Sequence, residues 1–128
     1  MVRFSTKPLT SSRLHKLLVD GGLGYKGHSI TDKLINNAHI IIAEDDEKII
    51  GCVTISFDGV CNYIVDNVAV IPTHRRKGIG TLLMQEANKY LDNVMVQGDT
   101  VFLWTDAHLK TFYEKVGFKP IQGMIKVK

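Results

Sequence analysis

One stretch of 27 residues limits the possible folds more than any other part of the chain. Val65-Asp66-Asn67-Val68-Ala69-Val70-Ile71 is a β-branched run that ends at Pro72. Thr73-His74-Arg75-Arg76-Lys77-Gly78-Ile79-Gly80 follows, basic and punctuated by glycine. From Gly78 to Leu91 an uninterrupted amphipathic pattern puts Ile79, Leu82, Leu83, Ala87, Tyr90 and Leu91 on one helical stripe. The order is strand, turn, helix N-terminus. Backbone N–H groups at such a turn and the helix dipole both favour an anion. Arg75, Arg76 and Lys77 add to that field, and Gly78 and Gly80 let the backbone approach a phosphate without a Cβ between.

Spacing rejects two common phosphate motifs. A Walker A loop places Lys-Ser/Thr after its last glycine, whereas Lys77 precedes Gly78. A dinucleotide fingerprint needs a third glycine where Leu83 stands. The order Arg75-x-x-Gly78-x-Gly80 after a Val-x-Val-x-Pro strand resembles the coenzyme A signature of the GNAT superfamily of acetyltransferases. A second segment agrees. Phe112-Tyr113-Glu114-Lys115-x-Gly117-Phe118 resembles the family's C-terminal motif, in which the tyrosine lies beside the CoA sulfur. The family often has Asn seven residues before that tyrosine, and here the residue is Asp106. Asp106 is an expected N-cap and Gly117 the expected C′ residue of a short helix between them.

The remaining pattern gives the order β-α-α-β-β-β-α-β-α-β-β, a mixed sheet with helices on both faces. A first strand is expected at 3–5, then a helix capped within Thr10-Ser11-Ser12 and running to about Val19. Four glycines break the chain over 21–27, and Ser29 or Thr31 is the expected cap of the second helix. Strands are expected at 39–44, 48–56, 63–70 and 101–105, with two short ones near 118–121 and 124–128 closing the chain. The 128 residues suffice for one domain, 1–128, and are too few for two. This order resembles the GNAT fold over nearly the whole chain, in a small single-domain branch.

A net charge of +3 is too small to argue for nucleic acid, and three of the cations sit together at 75–77. Cys52 and Cys61 show no zinc spacing, so no metal is expected. The N-terminus lacks a secretory apolar core and no run reaches the ~20 residues of a membrane span. The expectation is a cytoplasmic protein with neither nucleic acid nor membrane as partner.

The resemblance implies acetyl transfer from acetyl-CoA to a primary amine, the acceptor being left open by the residues. A non-catalytic acyl-CoA sensor, or an enzyme acting on a protein or aminoacyl-tRNA amine, are the alternatives. It also implies that Val68, Ala69 and Val70 pair the pantetheine arm through their backbones, a bulge near Asn67 opening the sheet. Arg75, Arg76, Lys77, Gly78, Ile79, Gly80 and Thr81 would cradle the pyrophosphate. An amine of ordinary pKa is neutral about one part in a thousand near neutral pH, a penalty of roughly 4 kcal/mol. A base is therefore expected, and Asp66 is the first candidate, with His28, Glu44 and Asp58 behind it. Tyr113 is expected to donate a hydrogen bond to the departing sulfur. Tyr25 and His28, from the glycine-rich loop, are expected to line the acceptor site. The branch resemblance and the short closing strands suggest a homodimer.

Overall fold

The computed structural model of the chain describes residues 1–24 and 27–128. Its elements are β1 (Val2–Ser5), α1 (Ser11–Asp20), α2 (His28–Asn37), β2 (His39–Asp45), β3 (Lys48–Phe57), β4 (Asn62–Val70), α3 (Ile79–Val94), β5 (Thr100–Phe102) and α4 (Lys110–Lys115). Short 3₁₀ turns at Pro72–His74 and Ala107–Leu109 lead into α3 and α4. The five strands lie in sequence order in one sheet. β1 to β4 are antiparallel to their neighbours, and β5 runs parallel to β4. The α/β class with a mixed sheet is as the sequence pattern indicates.

Two close approaches place helices on opposite faces. A Cβ at Gly21, which ends α1, would stand 2.8 Å from Ala69 Cβ. One at Gly51 would stand 3.2 Å from Leu83 on α3. Ala69 is the ladder partner of Cys52, the neighbour of Gly51, and adjacent strand residues face opposite ways. α1 therefore covers one face and α3 the other. The core between them includes Leu14, Leu18, Ile42, Ile50, Val53, Val65, Leu83 and Met84, all essentially inaccessible.

Local chemistry explains most boundaries. Thr10 Oγ1 accepts the Arg13 N–H at 3.2 Å and caps α1. Asp46 and Glu47 both adopt positive φ, 48° and 71°, the two-residue turn that matches strand twist in a tight hairpin. Asp58 builds the next turn. Its Oδ1 accepts the N–H groups of Val60, Cys61 and Asn62 at 2.7–3.1 Å, and Oδ2 takes Asn62 Nδ2 at 2.8 Å.

Three expectations change. Neither Ser29 nor Thr31 caps α2, whose N-cap is Gly27 with no side-chain bond. Thr31 is instead fully buried and hydrogen-bonds Ser11 across to α1 at 2.7 Å. Leu82 is 41% exposed while Met84 is buried, because the Ile79-Leu83-Ala87-Leu91 ridge faces the sheet and Leu82 lies off it. No strand forms after Phe118 among the described residues, and β5 is three residues long. Ile121, Met124, Ile125 and Val127 are exposed. A strand needs a ladder partner more than it needs propensity, and this segment has none among the described residues.

The Asp58 hydrogen bonds, led by the Asn62 and Val60 backbone amides, pull its carboxyl down to about 2 from an ordinary 3.8. A depressed folded-state value means stability that is complete above the unfolded value and lost as pH falls through the folded one. Asp58→Ala should therefore lower the unfolding temperature at neutral pH. Its deficit relative to the parent should shrink between about pH 4 and pH 2. Thermal melts followed by circular dichroism across that range check this.

Candidate active site

The sheet parts at β4. The β4–β5 ladder covers only Asn62↔Thr100, Tyr63↔Val101 and Ile64↔Phe102. Beyond Ile64 the β5 side of β4 has no strand partner among the described residues, which leaves a gap in the ladder along 65–70. At the same place β4 carries a bulge. Cys52 pairs Ala69 and Thr54 pairs Asp66, so Val53 alone faces both Asn67 and Val68. Asn67 holds φ at +50° and is 4% exposed. Asparagine tolerates this left-handed region better than the β-branched residues around it.

Asp66, on the bulge, is exposed, and its Oδ1 accepts the Asn67 N–H at 2.7 Å. Tyr113 approaches from α4. Burial raises the tyrosine's pKa above its ordinary value, and the Asp66 charge raises it further. The Asp66 charge thus acts on Tyr113, the other side chain expected from the sequence to be catalytic.

The turn after β4 is built by its own side chains. The Pro72–His74 turn ends with His74 Nε2 2.9 Å from Asp45 Oδ2 on the β2–β3 hairpin. That bond, more than the N-terminal ammonium nearby, holds the Asp45 carboxyl below its usual value. Arg75 is exposed but folds back onto the main chain. Its Nε donates to Val70 O at 3.0 Å and Nη2 to Gly21 O at 2.9 Å, tying β4, the turn and the end of α1 together. Arg76 (φ 62°) and Gly78 (φ 76°) both adopt left-handed backbone, and Arg76 and Lys77 are exposed. The first hydrogen bond into α3 runs from Leu82 N–H to Gly78 O at 3.1 Å. The amides before it, including those of Ile79, Gly80 and Thr81, have no acceptor within the helix. A Cβ at Gly80 would meet only the Phe112 ring at 3.6 Å, an ordinary contact, so the fold itself does not demand glycine there.

α4 closes the other side. Phe118 N–H bonds Tyr113 O at 3.1 Å and Gly117 N–H bonds Glu114 O at 3.2 Å, with Gly117 at φ 102°. This is a Schellman ending, and the Tyr113 and Phe118 rings meet edge-on as its hydrophobic contact. Asn88 of α3 donates Nδ2 to Val116 O at 2.9 Å and holds the end of α4 against α3. Asp106 occupies the N-cap position of the Ala107–Leu109 turn, but its side chain makes no capping bond.

Other sequence candidates are placed differently. Tyr25 lies outside the described residues. His28 is the first residue of α2, exposed, with its ring 4.9 Å from that of His15. Glu44 is paired with Lys7 at 2.8 Å, and Asp58 is spent on its turn, so neither is available as a base at the gap. Among the described residues no cluster of His, Cys, Asp and Glu could hold a metal ion, and no helix is long and apolar enough to cross a membrane. Sequence reading missed Thr54, Asn67 as a buried residue, and Asn88. The available signal was a polar side chain inside an apolar strand or on an apolar helix face.

Comparison with known proteins agrees with this arrangement. The acetyltransferase (GNAT) domain model matches residues 36–120. A probable acetyltransferase of unknown function from meticillin-resistant Staphylococcus aureus is 26% identical, with TM-score 0.90, and the match covers 100% of this chain and 99% of that one. A GNAT-family protein from Streptococcus pneumoniae is 24% identical with TM-score 0.82, covering 100% and 98%. Glucosamine-6-phosphate N-acetyltransferase from Arabidopsis thaliana shares the fold at 16% identity, TM-score 0.78, covering 100% and 98%. No curated protein matches the chain in sequence. With the family model spanning the bulged strand, the basic turn and the tyrosine helix, the chain belongs to the GNAT family of acetyltransferases.

Proposed function

We propose that the protein transfers the acetyl group of acetyl-CoA to a primary amine of a small acceptor molecule. The observation that carries this reading is the parting of β4 from β5 directly before the open N-terminus of α3. An extended amide chain can lie along the β5 side of Val68–Val70 as a strand would, ending in phosphates at the amides of 76–81. Arg76 and Lys77, being exposed, supply the charge. Arg75 acts as a clamp that fixes the turn, since its guanidinium is engaged with two carbonyls.

Within this reading Asp66 accepts the amine's proton, directly or through water. Tyr113 donates to the sulfur as it leaves. A thiolate resembling a thiol of pKa near 8.5 cannot fully deprotonate an ordinary tyrosine without a cost of about 2 kcal/mol, and the upward shift of Tyr113 adds to it. Tyr113 therefore serves mainly as a hydrogen-bond donor. We also read the protein as cytoplasmic and as a homodimer. The free outer edge of β5 and the exposed apolar residues after Phe118 in the same chain support pairing with a second copy.

Titration calorimetry should give acetyl-CoA binding that weakens with salt and disappears in Gly80→Glu, which sets a carboxylate where phosphate would sit. Arg76→Ala should weaken binding with little change in unfolding temperature. Arg75→Ala should lower stability by about 1 kcal/mol as its hydrogen bonds are lost. Undiminished affinity in a folded Gly80→Glu protein would refute the cofactor assignment.

Thiol release from acetyl-CoA over a panel of amines tests catalysis and separates an enzyme from a sensor. Tyr113→Phe should turn over about tenfold more slowly with nearly unchanged acetyl-CoA affinity. Asp66→Asn should be most impaired at neutral pH and partly recover at alkaline pH, where more amine is already neutral. Both variants matching the parent would remove these residues from the mechanism.

Sedimentation at tens of micromolar, roughly where ordinary dimers persist, should show a dimer. Monomer alone would count against the second copy.

A further inference from the structure

The bulge on β4 is held by side chains of β3 in place of a regular ladder, and their chemistry fixes where two backbone amides point. Thr54 is fully buried, and its hydroxyl donates to Asp66 O at 3.1 Å. A hydroxyl has one hydrogen, so its oxygen accepts from Asn67 Nδ2 at 3.0 Å. Cys52, also fully buried, donates its S–H to Asn67 O at 3.3 Å. Burial pushes that thiol up to about 12, so the hydrogen stays on sulfur at any working pH.

These bonds have a directional consequence. Among the described residues no peptide bond is cis, and in a trans peptide the C=O and the following N–H point in opposite directions. Holding Asp66 O on Thr54 turns the Asn67 N–H away from β3, and it meets the Asp66 carboxylate there at 2.7 Å. Holding Asn67 O on Cys52 turns the Val68 N–H away from Cys52 in the same manner. β4's other neighbour is β5, which has no ladder partner at this height. The arrangement is not the relaxed one for a strand. Asn67 sits at φ +50°, and its buried Oδ1 has no hydrogen-bond partner among the described residues. A valine or threonine in regular β geometry would avoid both costs.

We infer that Cys52, Thr54 and Asn67 are positioning residues that aim the Val68 N–H and the Asp66 carboxylate into the gap where acyl transfer takes place. The inference rests on the acetyltransferase reading above. The side-chain hydrogen bonds of Cys52 and Thr54 go to the two carbonyls and the Asn67 carboxamide, so they act through the backbone. The aimed amide polarises the thioester carbonyl as negative charge develops on its oxygen. Asn67 supplies the left-handed residue that lets two consecutive carbonyls turn toward β3.

The test is spectroscopic and needs no acceptor amine. Acetyl-CoA carrying ¹³C at the thioester carbonyl is bound to the intact protein, and its carbonyl infrared band is compared with that of the free ligand. The parent should move the band to lower frequency. Cys52→Ala and Thr54→Val should each return it at least half way to the free position. Affinity for unacetylated CoA should stay within about threefold, since the phosphate turn is untouched. Cys52→Ser and Thr54→Ser keep a donor in place and should keep the shift. Asn67→Gly tolerates the left-handed backbone but loses the carboxamide and should give an intermediate band. A purely structural role would lower the unfolding temperature and leave the band where the parent puts it. A parent-like band in folded Cys52→Ala and Thr54→Val, or a parent that binds acetyl-CoA without any shift, overturns the inference. A parent that binds neither acetyl-CoA nor CoA overturns the acetyltransferase reading itself, which calorimetry distinguishes. If Cys52→Ala does not fold, Thr54→Val with its serine control carries the same comparison.

Discussion

Backbone polar groups buried in a sheet have to find partners, and at Asn67 they find them in side chains. Thr54 and Cys52 take the carbonyls of Asp66 and Asn67 where a regular β3 ladder would have placed amides. The bulge that results lies where β4 and β5 cease to pair. Had the ladder continued regularly on both sides of β4, its amides would be used up within the sheet. The gap, the exposed Asp66 beside it and the route from the α3 N-terminus all depend on that local departure from regular structure.

The second dependence is on how the rim of the gap is fixed. Arg75 joins β4 to the end of α1, His74 joins the same turn to the β2–β3 hairpin, and Asn88 joins α3 to the end of α4. Each uses a side-chain donor on a distant group, so the turn and the tyrosine helix are referenced to the whole sheet. The exposed Arg75 guanidinium also braces the turn, because its bonds to two carbonyls tie β4 to the end of α1.

Tyr113 illustrates how position sets chemistry. Half burial and the Asp66 charge both favour its neutral form. In the proposed reaction a neutral phenol is the form that donates a hydrogen bond to a departing sulfur. Two carboxylates on the same gap would oppose each other, and a tyrosine in open water would gain nothing from the neighbour.

The strand–turn–helix order from Val65 to Leu91 was legible in the sequence because it rests on short-range effects: β-branching, a proline stop, glycine at positive φ and a helical apolar period. The Gly117 helix ending was legible for the same reason. So was the GNAT resemblance, which rests on such local motifs in a fixed order. Tertiary structure alone decided that Arg75 folds back onto Gly21, that Glu44 pairs with Lys7, and that Thr54 and Cys52 hold the Asn67 bulge. It also decided that the residues after Phe118 form no strand within one chain, although their composition suggested one. These outcomes depend on which groups meet across 13 to 54 positions of sequence, from Thr54–Asn67 to Gly21–Arg75. Propensity acts within a few residues, and a hydrogen bond between distant groups exists only once the sheet has brought them together.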